Sequence, residues 1–102
     1  MRAVDINTGS GLHYTVLPDR GMDISLARYK DINLVYQTCN GETHPAFYEQ
    51  EGLEWLRTFA GGLLTTCGLT YFGGPCNDEG EELGLHERVS TIPVRQFADL
   101  SD

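Results

Sequence analysis

Apolar and polar positions alternate with period two through the first third of the chain. Leu12, Tyr14 and Val16 fall on one face of the run from Leu12 to Leu17, and Met22, Ile24 and Leu26 on one face of the run from Met22 to Ala27. Such alternation sends successive side chains to opposite sides of a strand, one dry and one wet. Val4 and Ile6 give the same pattern inside Ala3 to Asn7, and Ile32 to Tyr36 reads as a further short strand. The separating segments Gly9-Ser10-Gly11 and Pro18-Asp19-Arg20-Gly21 are turn sequences. They are too short for helical crossovers, so the strands are expected to pair antiparallel.

Beyond Gln37 the alternation stops. Residues 37–50 read as a polar loop holding Gly41 and Pro45, and Glu49 to Phe59 as one short helix. In that helix Leu53, Trp55 and Leu56 face inward, while Glu49, Glu51 and Glu54 lie early and Arg57 late, as a helix dipole favours. Leu63 to Leu69 reads as a buried strand, residues 73–82 as a loop, and Arg88 to Ile92 as a last strand. Several strands carry two partly apolar faces, and nothing after Ile92 closes the structure. The expectation is a single partial domain over residues 1–102 whose partner sheet lies elsewhere. Its open sheet edges favour self-association into a homo-oligomer.

Charge narrows the partners. Among 102 residues, seven Lys and Arg face fifteen Asp and Glu, a formal net charge of −8. Such a surface repels phosphate backbones and anionic lipid heads, which argues against nucleic acid and against membrane docking. No apolar run approaches the ~18 residues of a spanning helix. Met1 to Asp5 has no secretory pattern, so a cytoplasmic protein with reduced thiols is expected. Cys39, Cys67 and Cys76 read as small buried or half-buried residues, since no pair has the Cys-x-x-Cys spacing. His13, His44 and His86 match no metal-ligand spacing, so no metal is expected. The glycine-rich stretch around Gly61-Gly62 and Gly73-Gly74 lacks the Gly-Lys-Ser/Thr of a phosphate loop, and no cofactor is expected.

A few residues carry chemistry. Arg20 reads either as a solvated turn residue or as a guanidinium at a strand end that donates to a polar ligand. Cys67 and His86 are the residue types of a nucleophile and its base, yet no orienting third group is evident. His86, in Leu83-Gly84-Leu85-His86-Glu87-Arg88, is either a structural histidine or an acid/base group available near neutral pH.

Three segments, taken in order, change that balance. Leu17-Pro18-Asp19-Arg20-Gly21-Met22-Asp23-Ile24, the run from Trp55 to Leu69 and Leu83-Gly84-Leu85-His86 together resemble the N-terminal third of bacterial proteins related to aldose 1-epimerase, of the galactose mutarotase-like kind. A looser similarity, to the sugar-phosphate epimerase branch, lies in the order Gly61-Gly62, Cys67, Phe72-Gly73 and His86. The resemblance implies an all-β fold: an antiparallel β-sandwich, the mutarotase supersandwich, present as its N-terminal portion with one short helix. It further implies a sugar or sugar-derivative ligand and isomerisation by acid/base ring opening. By resemblance His86 is the catalytic histidine that binds or protonates sugar oxygens. Arg20, Arg57 and Arg88 are the implied substrate contacts. Two departures stand out. Where the family has glycine after this histidine the chain has Glu87, a side chain expected to crowd the sugar or add a carboxylate. The family's catalytic carboxylate lies further downstream than Asp102. Two other readings stay open: a non-catalytic carbohydrate-binding module, and a structural piece that associates with another chain.

Overall fold

Four strands carry the alternation. β1 (Val4–Asn7), β2 (Leu12–Leu17), β3 (Asp23–Tyr29) and β4 (Ile32–Asn33) form one antiparallel sheet in chain order. A computed structural model of the chain describes residues 1–67, 70–96, 98 and 100. In it β5 (Tyr36–Gln37) pairs with β6 (Gly61–Gly62), and β7 (Cys76–Asp78) with β8 (Glu81–Leu83), both antiparallel. The fold is all-β, as read from the sequence; the longest helical element among the described residues is one 3-10 turn, Glu54–Arg57.

The register explains which faces are dry. Directly opposed residues share a face, so Val4, Val16 and Ile24 lie together, as do Ile6, Tyr14 and Ala27. Between Thr15 and Val16 the register slips, leaving Ser25 as the extra residue of a bulge in β3. That slip corrects the expected face of Met22, Ile24 and Leu26. Ile24 stays beside Val16, Leu26 is turned to the side of Asp5 and Thr15, and Ala27 takes the inward place. The apolar face is only partly covered, with Tyr29 and Ile32 exposed at its far end. The accessible surface, 6959 Å², exceeds the value of about 6,000 Å² for a monomer of this mass. The excess agrees with the exposure of large apolar side chains such as Leu26, Ile32 and Tyr36.

Where the sheet is best buried, the turn after β2 packs against residues 89–94. Gly21 N–H donates to Ile92 O at 3.1 Å and Val94 N–H to Pro18 O at 2.8 Å. Arg2 clips the same region by donating from Nε and its guanidinium NH2 to Asp19, at 2.9 and 2.7 Å. These hydrogen bonds hold the Asp19 carboxyl below its ordinary range. Gly21 closes the Pro18–Arg20 3-10 turn at φ +60°, and a Cβ there would lie 2.5 Å from Val89 O. Left-handed strain and collision with backbone act together at this point. Gly21→Ala is therefore expected to lower stability by at least about 2 kcal/mol, read from the urea midpoint. A loss below about 0.5 kcal/mol would mean that the 89–94 segment is not docked there.

Several expected elements come out differently. The helix of Glu49 to Phe59 is confined to the four-residue turn Glu54–Arg57, because Gly52 at φ +54° interrupts it. Ile32 to Tyr36 splits at an Asn33 side-chain turn, in which Val35 N–H donates to Asn33 Oδ1 and Asn33 Nδ2 to Val35 O. Within Leu63 to Leu69 a single bridge, Ile24 to Leu64, takes the place of a strand, and Gly68 and Leu69 lie outside the described residues. The expected loop of residues 73–82 contains the β7–β8 hairpin, turning at Glu79 and Gly80, both left-handed. The expected last strand is the 3-10 turn Val89–Thr91. Cys39, Cys67 and Cys76 are free thiols, exposed rather than buried, since all three sit in loops or on the open hairpin.

Candidate functional site

The turn after β8 is shaped by a close backbone passage. Gly84 runs so near the 50–52 segment that a Cβ would fall 1.9 Å from Gln50 O, and Leu85 N–H donates to Gly52 O at 3.0 Å. The chain then reverses through two left-handed non-glycine residues, His86 at φ +56° and Glu87 at φ +59°. Each such residue costs about 1–3 kcal/mol, so surrounding contacts must hold the turn. They do so on both sides.

On one side the His86 imidazole sits among aromatic rings. Trp55 meets it edge-on at 5.0 Å and 82°, and Phe72 stacks on it at 4.8 Å and 23°. Trp55 is itself buried and stacked on Phe59 at 5.0 Å, whereas Phe72 is 70% exposed. Trp55 thus backs the imidazole, and Phe72 is the ring open to a ligand. Gly73 grips His86 at both ends: His86 N–H donates to Gly73 O at 3.0 Å, and Gly73 N–H donates to His86 Nδ1 at 3.3 Å. A nitrogen that accepts a hydrogen bond cannot also carry the proton. The neutral ring therefore bears its hydrogen on Nε2, which is the nitrogen left to a partner.

On the other side Glu87 turns inward and is 4% exposed. One of its carboxylate oxygens, Oε2, accepts from Thr70 N–H, from Thr70 Oγ1 at 2.6 Å and from Tyr71 N–H at 3.0 Å. The expectation that Glu87 crowds a sugar is corrected by this geometry. The left-handed backbone points the side chain away from the His86 ring and into the 70–71 segment. Tyr48 closes the turn, its hydroxyl donating to Glu87 O at 3.5 Å; burial is the first cause that pushes this phenol above its ordinary value.

The three arginines part company. Arg20 is 2% exposed; its Nε donates to Asp23 at 3.3 Å and its NH1 to Thr43 O at 2.8 Å. Its expected ligand contact is corrected: the 3-10 coil of Pro18–Arg20 directs the guanidinium into the core, where it is an internal tie. Arg88 follows the turn directly, exposed, with its charge felt at Tyr48. Arg57 lies on the turn that carries Trp55, largely exposed, and donates to Glu49 at 3.2 Å. The Glu49 carboxyl is held low and the Glu54 carboxyl high, first of all by the hydrogen bond between them. Among the described residues no group of three or more His, Cys, Asp and Glu is placed to hold a metal ion, and no helix is long and apolar enough to cross a membrane.

Two clefts are relevant. One, about 650 Å³, is lined by Gln50, Gly52, Pro75, Glu82, Leu83 and Gly84, next to the His86 turn. Another, about 440 Å³, lies over the sheet and is lined by Asp5, Asn7, His13, Thr15, Arg28 and Asn33. The second has sugar-sized room and polar groups, and its lining includes the rings of His13 and Tyr14. Of the residues singled out from the sequence, His86 and Arg88 lie on the turn itself and Arg57 on the neighbouring turn that carries Trp55; the contacts of Phe72, Gly73 and Glu87 with that turn were not foreseen. The Phe72-Gly73 pair was the visible signal.

A family model described as "Domain of unknown function (DUF4432)" matches residues 1–98. No curated protein matches the chain. A crystal structure from Klebsiella pneumoniae subsp. pneumoniae MGH 78578, described as that of a "putative aldose 1-epimerase", superposes with a TM-score of 0.76 at 25% identity. The match covers 89% of this chain and 24% of that one, so the chain spans about a quarter of its length.

Proposed function

We propose, for a chain that belongs to the DUF4432 family, a domain of unknown function, that it binds a sugar or sugar derivative at the His86 turn and serves an aldose 1-epimerase-type isomerisation. The observation that carries this is the His86 ring itself. It is half-buried against Trp55 and Phe72 and fixed by Gly73 at Nδ1, so that Nε2 is the ring nitrogen that carries the hydrogen. The fold shared with the Klebsiella structure supports the same reaction class.

In such an isomerisation the anomeric hydroxyl loses its proton to a base. The bond between C1 and the ring oxygen breaks, and the ring oxygen takes up a proton. Rotation about C1–C2 and reclosure then give the other anomer. His86 serves the electrophilic side: with Nδ1 held by Gly73 N–H, the neutral ring donates a hydrogen bond from Nε2–H to the ring oxygen as charge builds there, and the proton that the oxygen takes up comes from water. Phe72 offers an aromatic face to the C–H side of a sugar, and Arg88 and Arg57 can donate to hydroxyls or to an acidic substituent. Glu87 is not used as the base, because its carboxylate is buried and committed to Thr70 and Tyr71.

Exchange spectroscopy at the anomeric position, with a panel of neutral and acidic aldoses, tests the proposal. Cross-peaks between the α and β anomers above the uncatalysed rate are expected with at least one sugar in a protein that carries this segment together with the family's downstream carboxylate as the base. Line broadening without exchange would favour a non-catalytic binding module, and silence across the panel would remove the sugar assignment.

A further inference from the structure

The way His86 is held goes with the role proposed for it above and rests on that role. Glu87 is buried beside His86, yet the proposed chemistry does not use it. Its carboxylate takes hydrogen bonds from Thr70 N–H, Thr70 Oγ1 and Tyr71 N–H, two consecutive residues of the segment facing the turn. The next two residues of that segment touch the imidazole. Phe72 stacks on it at 4.8 Å, and Gly73 N–H donates to Nδ1 at 3.3 Å while Gly73 O accepts from His86 N–H at 3.0 Å. Carboxylate and imidazole are neighbours in sequence but reach residues 70–71 and 72–73 respectively, because both are left-handed.

We infer that Glu87 is a positioning residue: by pinning residues 70–71 it sets the Phe72 ring and the Gly73 amide against His86 and so fixes which ring nitrogen faces the substrate. An anionic carboxylate suits this task because it accepts several hydrogen bonds at once, and bonds to a charged acceptor are the stronger kind. A glycine at position 87 would suit the φ of +59° without strain but would supply no such tie. A general structural role would cost stability alone. A positioning role also changes the imidazole.

The test reads the ring directly, with ¹⁵N spectra of the His86 side chain and amide exchange at Gly73. In the wild-type chain Nδ1 is expected to resonate as an unprotonated nitrogen and Nε2 as a protonated one. In Glu87→Gly, where the backbone is relieved, the two shifts should move toward a mixture of tautomers and Gly73 amide exchange should quicken at least tenfold. Glu87→Gln, which keeps one acceptor oxygen, should fall between. A folded Glu87→Gly chain with unchanged ring shifts and unchanged Gly73 exchange would overturn the inference. If Glu87→Gly does not fold, Thr70→Val removes one of the donors and should shift the ring in the same direction by less; an unmoved ring there overturns it equally. None of these readouts needs a sugar. Failure of the sugar panel with the predicted tautomer change would overturn the proposed function and leave the positioning role standing.

Discussion

Arg20→Ala is expected to cost about 3–5 kcal/mol of stability, the range for breaking one partner of a buried ion pair. The guanidinium and the Asp23 carboxylate are 2% and 6% exposed and meet at 3.3 Å. Asp23 Oδ1 accepts from Thr66 N–H at 2.7 Å and from Thr66 Oγ1 at 2.8 Å, and Arg20 reaches on to Thr43 O. The pair thus ties the turn after β2 to two distant loops. Set against a typical total of about 5–15 kcal/mol, its loss is large. The effect should depend on pH. Burial outweighs the opposing Thr66 and Arg20 contacts and lifts the Asp23 carboxyl above its ordinary value. A carboxyl with a raised folded-state pKa stabilises most below its unfolded value and loses that contribution as pH rises through the folded value. Without Arg20 the rise is greater still. The gap between wild type and variant should therefore be narrowest below about pH 4 and widen toward neutrality. Urea unfolding at the two pH values checks this. A gap under about 1 kcal/mol at neutral pH, as for an exposed pair, would contradict the assigned burial.

His86→Gln is expected to reduce anomer exchange about 10²–10⁴-fold, the usual contribution of a positioned acid or base. Glutamine keeps a donor of similar reach but loses the ring that meets Trp55 edge-on and stacks on Phe72, so its amide is not held in the same place. Binding should weaken far less than turnover, since Phe72 and the arginines would remain. Equal exchange rates for variant and wild type would take His86 out of the reaction. Equal loss of binding and exchange would make it a binding residue only.

Period-two alternation sufficed to read β1, β2 and β3, because each has one dry face and a short turn. The bulge at Ser25 was hidden, since a single inserted residue leaves no mark in the alternation. The β7–β8 hairpin was hidden for another reason: its strands, Cys-Asn-Asp and Glu-Glu-Leu, are almost wholly polar and exposed. At the site, His86 stood out by residue type and by resemblance. What holds it did not. Left-handed φ at His86 and Glu87 is a property these residues rarely show, and nothing in their side chains announces it. Arg20 misled for a converse reason: an arginine in a turn is ordinarily solvated, and only the distant Thr43 and Asp23's own tie to Thr66 make its burial affordable.

Mapping sugar-induced shifts onto the assigned ¹⁵N spectrum of the wild-type chain tests the central claim most directly. A productive aldose is expected to perturb residues 71–73 and 84–88, with the His86 Nε2 resonance moving most. Perturbations gathered instead on His13, Arg28 and Asn33, over the four-stranded sheet, would contradict the account and move the carbohydrate site to that face.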